Sequence, residues 1–261
     1  MIRAKKSLGQ NFLIDREVLE KITNVVQIKD KTILEVGPGT GNLTSFILKK
    51  NPKKMFVIEK DDDLAINLSE TFKGQLTIIN DDILQVDENL IFKNKVTVFG
   101  NLPYNISTEI LSKWITQTKD EFWFNNLILM FQKEVADRII AKFNTSDYGR
   151  LSILSNWKLN VEKVCDIKPE SFSPRPKIDS SLLFFSPKKN FYKIKDPKNL
   201  EKVTRIFFNH RRKMLKKPFN QLFNGDQRVL NEFKIDLNLR PQNLDFDTYY
   251  QLTCAYENLR S

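Results

Sequence analysis

Histidine and cysteine are scarce here: His210 is the only histidine and Cys165 and Cys254 the only cysteines in 261 residues. The two cysteines are far apart and fit no metal-ligand spacing. That excludes a disulfide framework and a zinc site and points to a reducing compartment, so a cytoplasmic location is expected. His210 stands among Arg211, Arg212 and Lys213, whose charge opposes its protonation, so a histidine base is not expected and neither is a metal. No apolar stretch approaches the ~20 residues of a membrane span, and no apolar signal core follows the basic start of the chain. A protein without a membrane partner is expected.

What is present in excess is positive charge, and it is unevenly placed. The chain carries 42 Lys/Arg against 32 Asp/Glu, yet residues 187–261 alone hold 16 against 8. Between Pro187 and Lys217 only Asp196 and Glu201 interrupt 12 basic residues. Such a field suits a polyanion, and nucleic acid is the first candidate partner. The length allows a full α/β core and a second, smaller domain. The change in character near residue 187 sets the expected boundary, 1–186 against 187–261. Helical patterns separated by polar turns follow it.

The order of elements before that boundary is strand, helix, strand, helix. This pattern predicts a mostly parallel sheet with helices on both faces. The strand Thr32-Ile-Leu-Glu-Val36 runs into Gly37-Pro-Gly-Thr-Gly41, where Gly37, Gly39 and Gly41 let the backbone approach a ligand at the carboxyl end of a strand. The spacing is not the dinucleotide fingerprint, and no P-loop Lys-Ser/Thr pair follows, which argues against nicotinamide and ATP. The next strand ends in Glu59, placed to accept hydrogen bonds from both ribose hydroxyls of a nucleoside. The third ends in Asn80-Asp81-Asp82, where a carboxylate can accept from an adenine amine. Singly, Glu59 and Asp82 also read as a surface acid and a helix cap; their shared position at strand ends favours a nucleoside.

A fourth strand, Val96-Thr-Val-Phe99, stops at Gly100-Asn101-Leu102-Pro103-Tyr104. Asn101 offers an amide oxygen, the Leu102 carbonyl a second acceptor, and Pro103 stiffens the turn. Tyr104 supplies a ring on which a base can lie, and base–aromatic stacking is worth about 1–3 kcal/mol. An exocyclic amine on a planar base is the implied substrate, against the alternative of an ordinary strand-to-loop turn. Upstream, Gln10, Asn11 and Leu13 either fold over a ligand or form a lead-in to a helix capped by Asp15. Downstream, the stiff loop from Phe172 to Ser180 carries an aromatic that either covers the second face of a base or plugs a late hairpin.

Taken together, Gly9-Gln-Asn-Phe-Leu13, Glu35-Val-Gly-Pro-Gly-Thr-Gly41, Val57-Ile-Glu59, Asp82, Phe99 to Ser107, Phe172 to Ser180, Phe208-Asn-His-Arg-Arg-Lys-Met-Leu215 and Leu239-Arg-Pro resemble the ribosomal RNA adenine dimethyltransferase family, most closely its bacterial small-subunit members. These segments span nearly the whole chain in family order. Ile178 and Gln242 stand where the family usually has valine and glutamate, and neither touches the chemistry. The resemblance implies a Rossmann-like S-adenosylmethionine-dependent methyltransferase sheet with a small all-helical C-terminal domain. Residues 1–186 would bind the methyl donor and catalyse; 187–261 would bind RNA. By motif position Asn11, Leu13, Gly37, Gly39, Gly41, Glu59, Asp82 and Asn101 would line the donor pocket. Asn101, Leu102, Pro103, Tyr104 and Phe172 would receive the target base, and Arg211, Arg212 and Lys213 would hold RNA phosphates. The partners implied are 16S rRNA and the small-subunit precursor, the targets two neighbouring adenosines near its 3′ end, and a monomer is expected.

The same chemistry explains the missing histidine. A sulfonium methyl is already electrophilic, so positioning carries the reaction and can supply about 7–11 kcal/mol in the best intramolecular cases. Two rivals stay open at this stage: a large-subunit rRNA methylase of the macrolide-resistance type, and a non-catalytic RNA-binding assembly factor that kept the methyltransferase shape.

Overall fold

The computed structural model describes Lys5, residues 9–118 and residues 121–260. Apart from Lys5, the basic start of the chain and the opening of the lead-in at Ser7-Leu8 lie outside them. Described residues group into two compact units that interleave along the chain. One comprises the residues up to Ala136 with Val161–Pro187; the other comprises Asp137–Asn160 with the chain from Lys188 onward.

In chain order the first unit carries β1 (Phe12–Leu13), α1 (Arg16–Thr23), β2 (Thr32–Val36), α2 (Asn42–Leu48), β3 (Lys54–Ile58) and α3 (Asp62–Thr71). These are followed by β4 (Thr77–Ile79), α4 (Glu88–Ile91), β5 (Val96–Gly100), α5 (Ser107–Gln117), β6 (Phe124–Gln132) and the start of α6 (Lys133–Ile140). After α7 (Arg150–Lys158) come β7 (Leu159–Ile167), which joins this unit from Val161 onward, β8 (Phe172–Ser173) and β9 (Ser180–Pro187). Seven strands form one sheet in the order β4-β3-β2-β5-β6-β9-β7. The pairs from β4 to β6 are parallel, and β9 runs antiparallel to β6. The order reverses between β2 and β5, the switch point where an open α/β sheet leaves a crevice beyond its carboxyl ends.

Burial on both faces explains why the central strands read as continuous apolar runs rather than alternations. Every residue of β5 is buried. On one face Ile33, Val57, Phe99 and Ile128 pack with Leu19 and Ile22 of α1 and Leu43 and Ile47 of α2. Elsewhere in the unit an aromatic chain runs from Phe56 to Phe92 (5.2 Å between centroids), Trp123 (5.8 Å) and Trp114 (5.5 Å). Asp15 caps α1 by accepting from Glu17 N and Val18 N, as its position in the sequence suggests.

The second unit is built on α7 with α8 (Pro197–Phe208), α9 (Lys216–Phe223), α10 (Gln227–Glu232) and α11 (Phe246–Asn258). From Lys188 on, the described residues form helices and turns only. Residues 137–160 group with it, which a single boundary at 187 does not anticipate. Side-chain bonds tie α7 there: Tyr250 Oη donates to Ile153 O at 2.8 Å and Trp157 Nε1 to Tyr192 O at 2.9 Å. α7 is also longer than Leu151–Leu154, the stretch its pattern suggests. It is enclosed, with Ser152, Ile153, Ser155, Trp157 and Lys158 all buried, so no single apolar stripe marks it. Among the described residues no helix is long and apolar enough to cross a membrane.

Candidate active site

A cavity of about 220 Å³ opens beyond the carboxyl ends of β2, β3, β4 and β5. Its wall includes Asn11, Leu13, Gly37, Gly39, Glu59, Asp82 and the segment from Asn101 to Tyr104, so residues spread over 90 positions meet at one place. Gly41 stands just behind the wall as the residue preceding α2.

The glycines have specific reasons to be glycine. Gly37, Gly39 and Gly41 all have left-handed backbones (φ +68°, +59° and +83°). A Cβ on Gly39 would lie 2.8 Å from the Phe12 ring, and one on Gly41 2.5 Å from Phe72. A Cβ on Gly37 meets only Asn101 O, at 3.7 Å, so a side chain there would take up cavity space.

Glu59 follows β3 directly and is buried. Its Oε2 accepts from Gly39 N at 3.1 Å and its Oε1 from Asp61 N at 3.0 Å. Burial raises its pKa, against the pull of those two N–H groups. Each oxygen keeps a further lone pair, so two hydroxyl donors can still be met. Asp82 Oδ1 accepts from Leu84 N at 3.0 Å and Oδ2 from Lys60 Nζ at 2.7 Å; the Lys60 bond holds its carboxyl below the usual range.

The segment after β5 is held from a distance. Asn101 Nδ2 donates to Asn11 O at 2.8 Å, which fixes the amide with its oxygen as the end left to accept. Leu102 is buried and folds back over Gly100, where a Cβ would meet its Cδ2 at 2.9 Å. Tyr104 is hydrogen-bonded through its hydroxyl to Ser180, and burial raises its pKa. Leu13 contributes a buried side chain and a carbonyl that accepts from Asn42 Nδ2 at 2.7 Å.

Phe172 is not brought to the cavity. It pairs with Leu13 across the β1–β8 ladder, is 3% exposed and packs in the core with Leu13 and Ile167, the plugging placement. In the second unit the three basic candidates separate. The Arg211 guanidinium donates to Ser146 O and Thr145 O, whereas Arg212 and Lys213 are exposed. Among the described residues no group of three or more His, Cys, Asp or Glu could hold a metal.

Two buried acids, one in the cavity wall and one beside it, are given no role by motif reading. Glu35 is a buried acid whose Oε2 accepts from Thr44 Oγ1 at 2.7 Å, and burial pushes its pKa up to about 8. Asp61 joins the lead-in to α3: Gln10 Nε2 reaches its Oδ2 at 3.0 Å and Lys5 Nζ its Oδ1 at 2.8 Å. Acidic residues next to each motif, Glu35 before the glycines and Asp61 after Glu59, are the only signal the sequence offers for them.

A glycine-lined turn at the switch point, a buried carboxylate after the second strand of the parallel sheet and an acid after the third define the Rossmann-like S-adenosylmethionine-dependent methyltransferases as the class. A solved dimethyladenosine transferase from Plasmodium falciparum superposes with a TM-score of 0.78 at 26% identity, over 95% of this chain and 98% of that one. The 23S rRNA methyltransferase ErmE shares the fold (TM-score 0.68, 20% identity, 96% and 100% covered). The chain belongs to the ribosomal RNA adenine dimethylase family, whose model matches residues 1–257. Relatives named ribosomal RNA small subunit methyltransferase A include one from Pelagibacter ubique strain HTCC1062, 69% identical over 99% of both chains. Another, from a Wolbachia of Drosophila simulans, is 41% identical over 99% of this chain and 96% of its own.

Proposed function

We propose that this chain transfers methyl groups from S-adenosylmethionine to the N6 amines of two adjacent adenosines near the 3′ end of 16S rRNA. The observation that carries the reading is Asn101: its nitrogen is tied to Asn11 O at 2.8 Å and its oxygen is left to accept at the cavity wall. The relatives named for the small ribosomal subunit support the choice of RNA.

When bound, S-adenosylmethionine supplies a methyl group on an electrophilic sulfonium. The cavity fits its nucleoside part: Glu59 retains two acceptor positions that would take the ribose hydroxyls, and the Asp82 turn at the wall would accept from an adenine amine. The open side of Gly37 leaves room for the rest. In the first transfer Asn101 Oδ1 and the Leu102 carbonyl accept the two N6 hydrogens and in the second the one that remains, which favours a tetrahedral nitrogen with its lone pair free of the ring; each methylated ammonium then sheds a proton to water. Tyr104 carries the base out of its stack and offsets an unstacking cost of a few kcal/mol. Phe172, packed in the core, backs the Leu13 strand. Arg212 and Lys213 hold RNA phosphates, giving salt-sensitive binding, and Arg211 supports the loop beside them. The sheet unit binds and catalyses, the basic C-terminal unit holds RNA, and the protein acts as a cytoplasmic monomer on a small-subunit precursor.

The test is transfer of labelled methyl groups to undermethylated small subunits, with Asn101→Ala in parallel and digestion of the rRNA to nucleosides. Dimethyladenosine from wild type and little from the variant is expected. Binding to subunits without transfer would leave an assembly factor, and label in large-subunit RNA alone would point to a resistance-type methylase.

A further inference from the structure

A buried charge, Lys113, lies behind the cavity wall without lining it. Lys113 lies on α5, the helix that follows directly from the Asn101–Ile106 segment, and its side chain is 9% exposed. Its Nζ donates to Ile83 O at 2.7 Å, to Val86 O, and to Glu88 Oε1 and Oε2 at 2.9 and 3.1 Å. Glu88, almost fully buried, also accepts from Trp114 Nε1 at 2.6 Å. All of these acceptors belong to one stretch, residues 83–88. That stretch begins with the turn whose Asp81, Asp82, Ile83 and Leu84 line the cavity.

A buried ion pair is a poor way to gain stability, since an apolar side chain of similar length fills the same space without desolvating a charge. What the ammonium adds is geometry: three donors gather two carbonyls and a carboxylate from a short turn. Around Asp82 the turn is held by local bonds, Gln85 N to Asp82 O at 2.8 Å, Val86 N to Asp82 O at 3.2 Å and Leu84 N to Asp82 Oδ1 at 3.0 Å, and by Lys60 Nζ on Asp82 Oδ2 at 2.7 Å; the stretch from 83 to 88 is gathered by Lys113. We infer that Lys113, with Glu88 as its counter-charge, is a positioning residue that sets the turn at Asp82, the turn that would meet the donor's adenine. The inference rests on the reading of the cavity as an S-adenosylmethionine site.

Three proteins test it: wild type, Lys113→Met, and Lys113→Met with Glu88→Gln. The readings are S-adenosylhomocysteine affinity by calorimetry, KM for S-adenosylmethionine against kcat on undermethylated subunits, and denaturant stability. A misplaced turn is expected to raise KM and Kd about tenfold or more in both variants, with kcat at saturating donor within about twofold of wild type. The double variant, free of an unpaired buried carboxylate, is expected to regain stability but not affinity. Affinity that returns with stability would reduce Lys113 to a structural residue and overturn the inference; so would a fall in kcat at unchanged KM. Hydrogen exchange gives a second reading on whichever variant folds: faster exchange confined to residues 82–88 supports it, and uniformly faster exchange across the sheet overturns it. A wild type that fails to bind S-adenosylhomocysteine would instead sink the cavity reading itself.

Discussion

Glu59 and Asn101 each follow a strand that flanks β2, yet the two side chains are held in opposite ways. Glu59 is buried, and both of its oxygens already accept backbone N–H bonds. Asn101 has one polar end anchored, on Asn11 O, and the other without a partner among the described residues. A fully held carboxylate is suited to a ligand that binds the same way each turnover. A half-held amide, its orientation fixed but its acceptor unspent, is suited to a group whose bonding changes during reaction. The same contrast recurs in the second unit, where Arg211 is committed to loop carbonyls and Arg212 is not.

The strongest way to break the comparison is Asn101→Ala. Removing a preorganised hydrogen-bonding group at a reacting atom typically costs about 10²–10³-fold in kcat, and a loss of that order is expected in single-turnover methyl transfer. Cofactor affinity should fall far less; equal losses in both would mean that the two walls do not differ in kind.

Glu59→Ala should do the reverse, weakening S-adenosylhomocysteine about 10²-fold or more, since two hydrogen bonds to a charged group are lost, worth about 1.5–3 kcal/mol each. It also strands the N–H groups of Gly39 and Asp61, so a lower Tm is expected alongside. Because burial raises the Glu59 pKa, its anion is lost at a higher pH than a free carboxylate's as the solution is acidified. Wild-type affinity, measured by calorimetry across a pH series, should therefore weaken towards acid, and that dependence should be absent from Glu59→Gln.

Glu35 differs from Glu59: it accepts from Thr44 alone, and keeping it ionised in its buried place costs stability. Its folded pKa of about 8 lies above the ordinary 4.5, so between those values the folded state keeps a proton that the unfolded chain releases. The contribution is fully present below pH 4.5 and is lost as pH rises through about 8. Glu35→Gln, which can still accept from Thr44, should be neutral at low pH and more stable than wild type by on the order of a few kcal/mol at pH 8. Paired denaturant titrations across pH would show this, and a constant difference would contradict it.

The smallest effects separate the arginines. Arg212→Ala should reduce the salt dependence of RNA binding by about one phosphate contact with Tm unchanged. Arg211→Ala should lower Tm through the loop 144–149 while changing the salt slope less.

Much of this was legible because it is local. Alternating strands and helices predict the parallel sheet, and the glycines, Glu59, Asp82 and Asn101 fall at successive strand ends in register with it. Their meeting in one cavity follows from parallel topology, which brings every strand's carboxyl end to the same side. Phe172 was not legible: an aromatic in a stiff loop fits a base or a core equally well, and only pairing with Leu13, 159 positions upstream, places it inside. α7 was partly illegible for a related reason, since an enclosed helix lacks the stripe that periodicity detects.

By itself, then, the sequence determined the sheet and the order of groups along its edge, because strand ends and turns are written in neighbouring residues. Tertiary structure decided which end of the Asn101 amide is free, that Arg211 is already engaged, and that Lys113 gathers the turn beside Asp82. Each of those rests on a hydrogen bond between segments 25 to 90 positions apart, and no local pattern encodes a partner that only the folded chain brings within 3 Å.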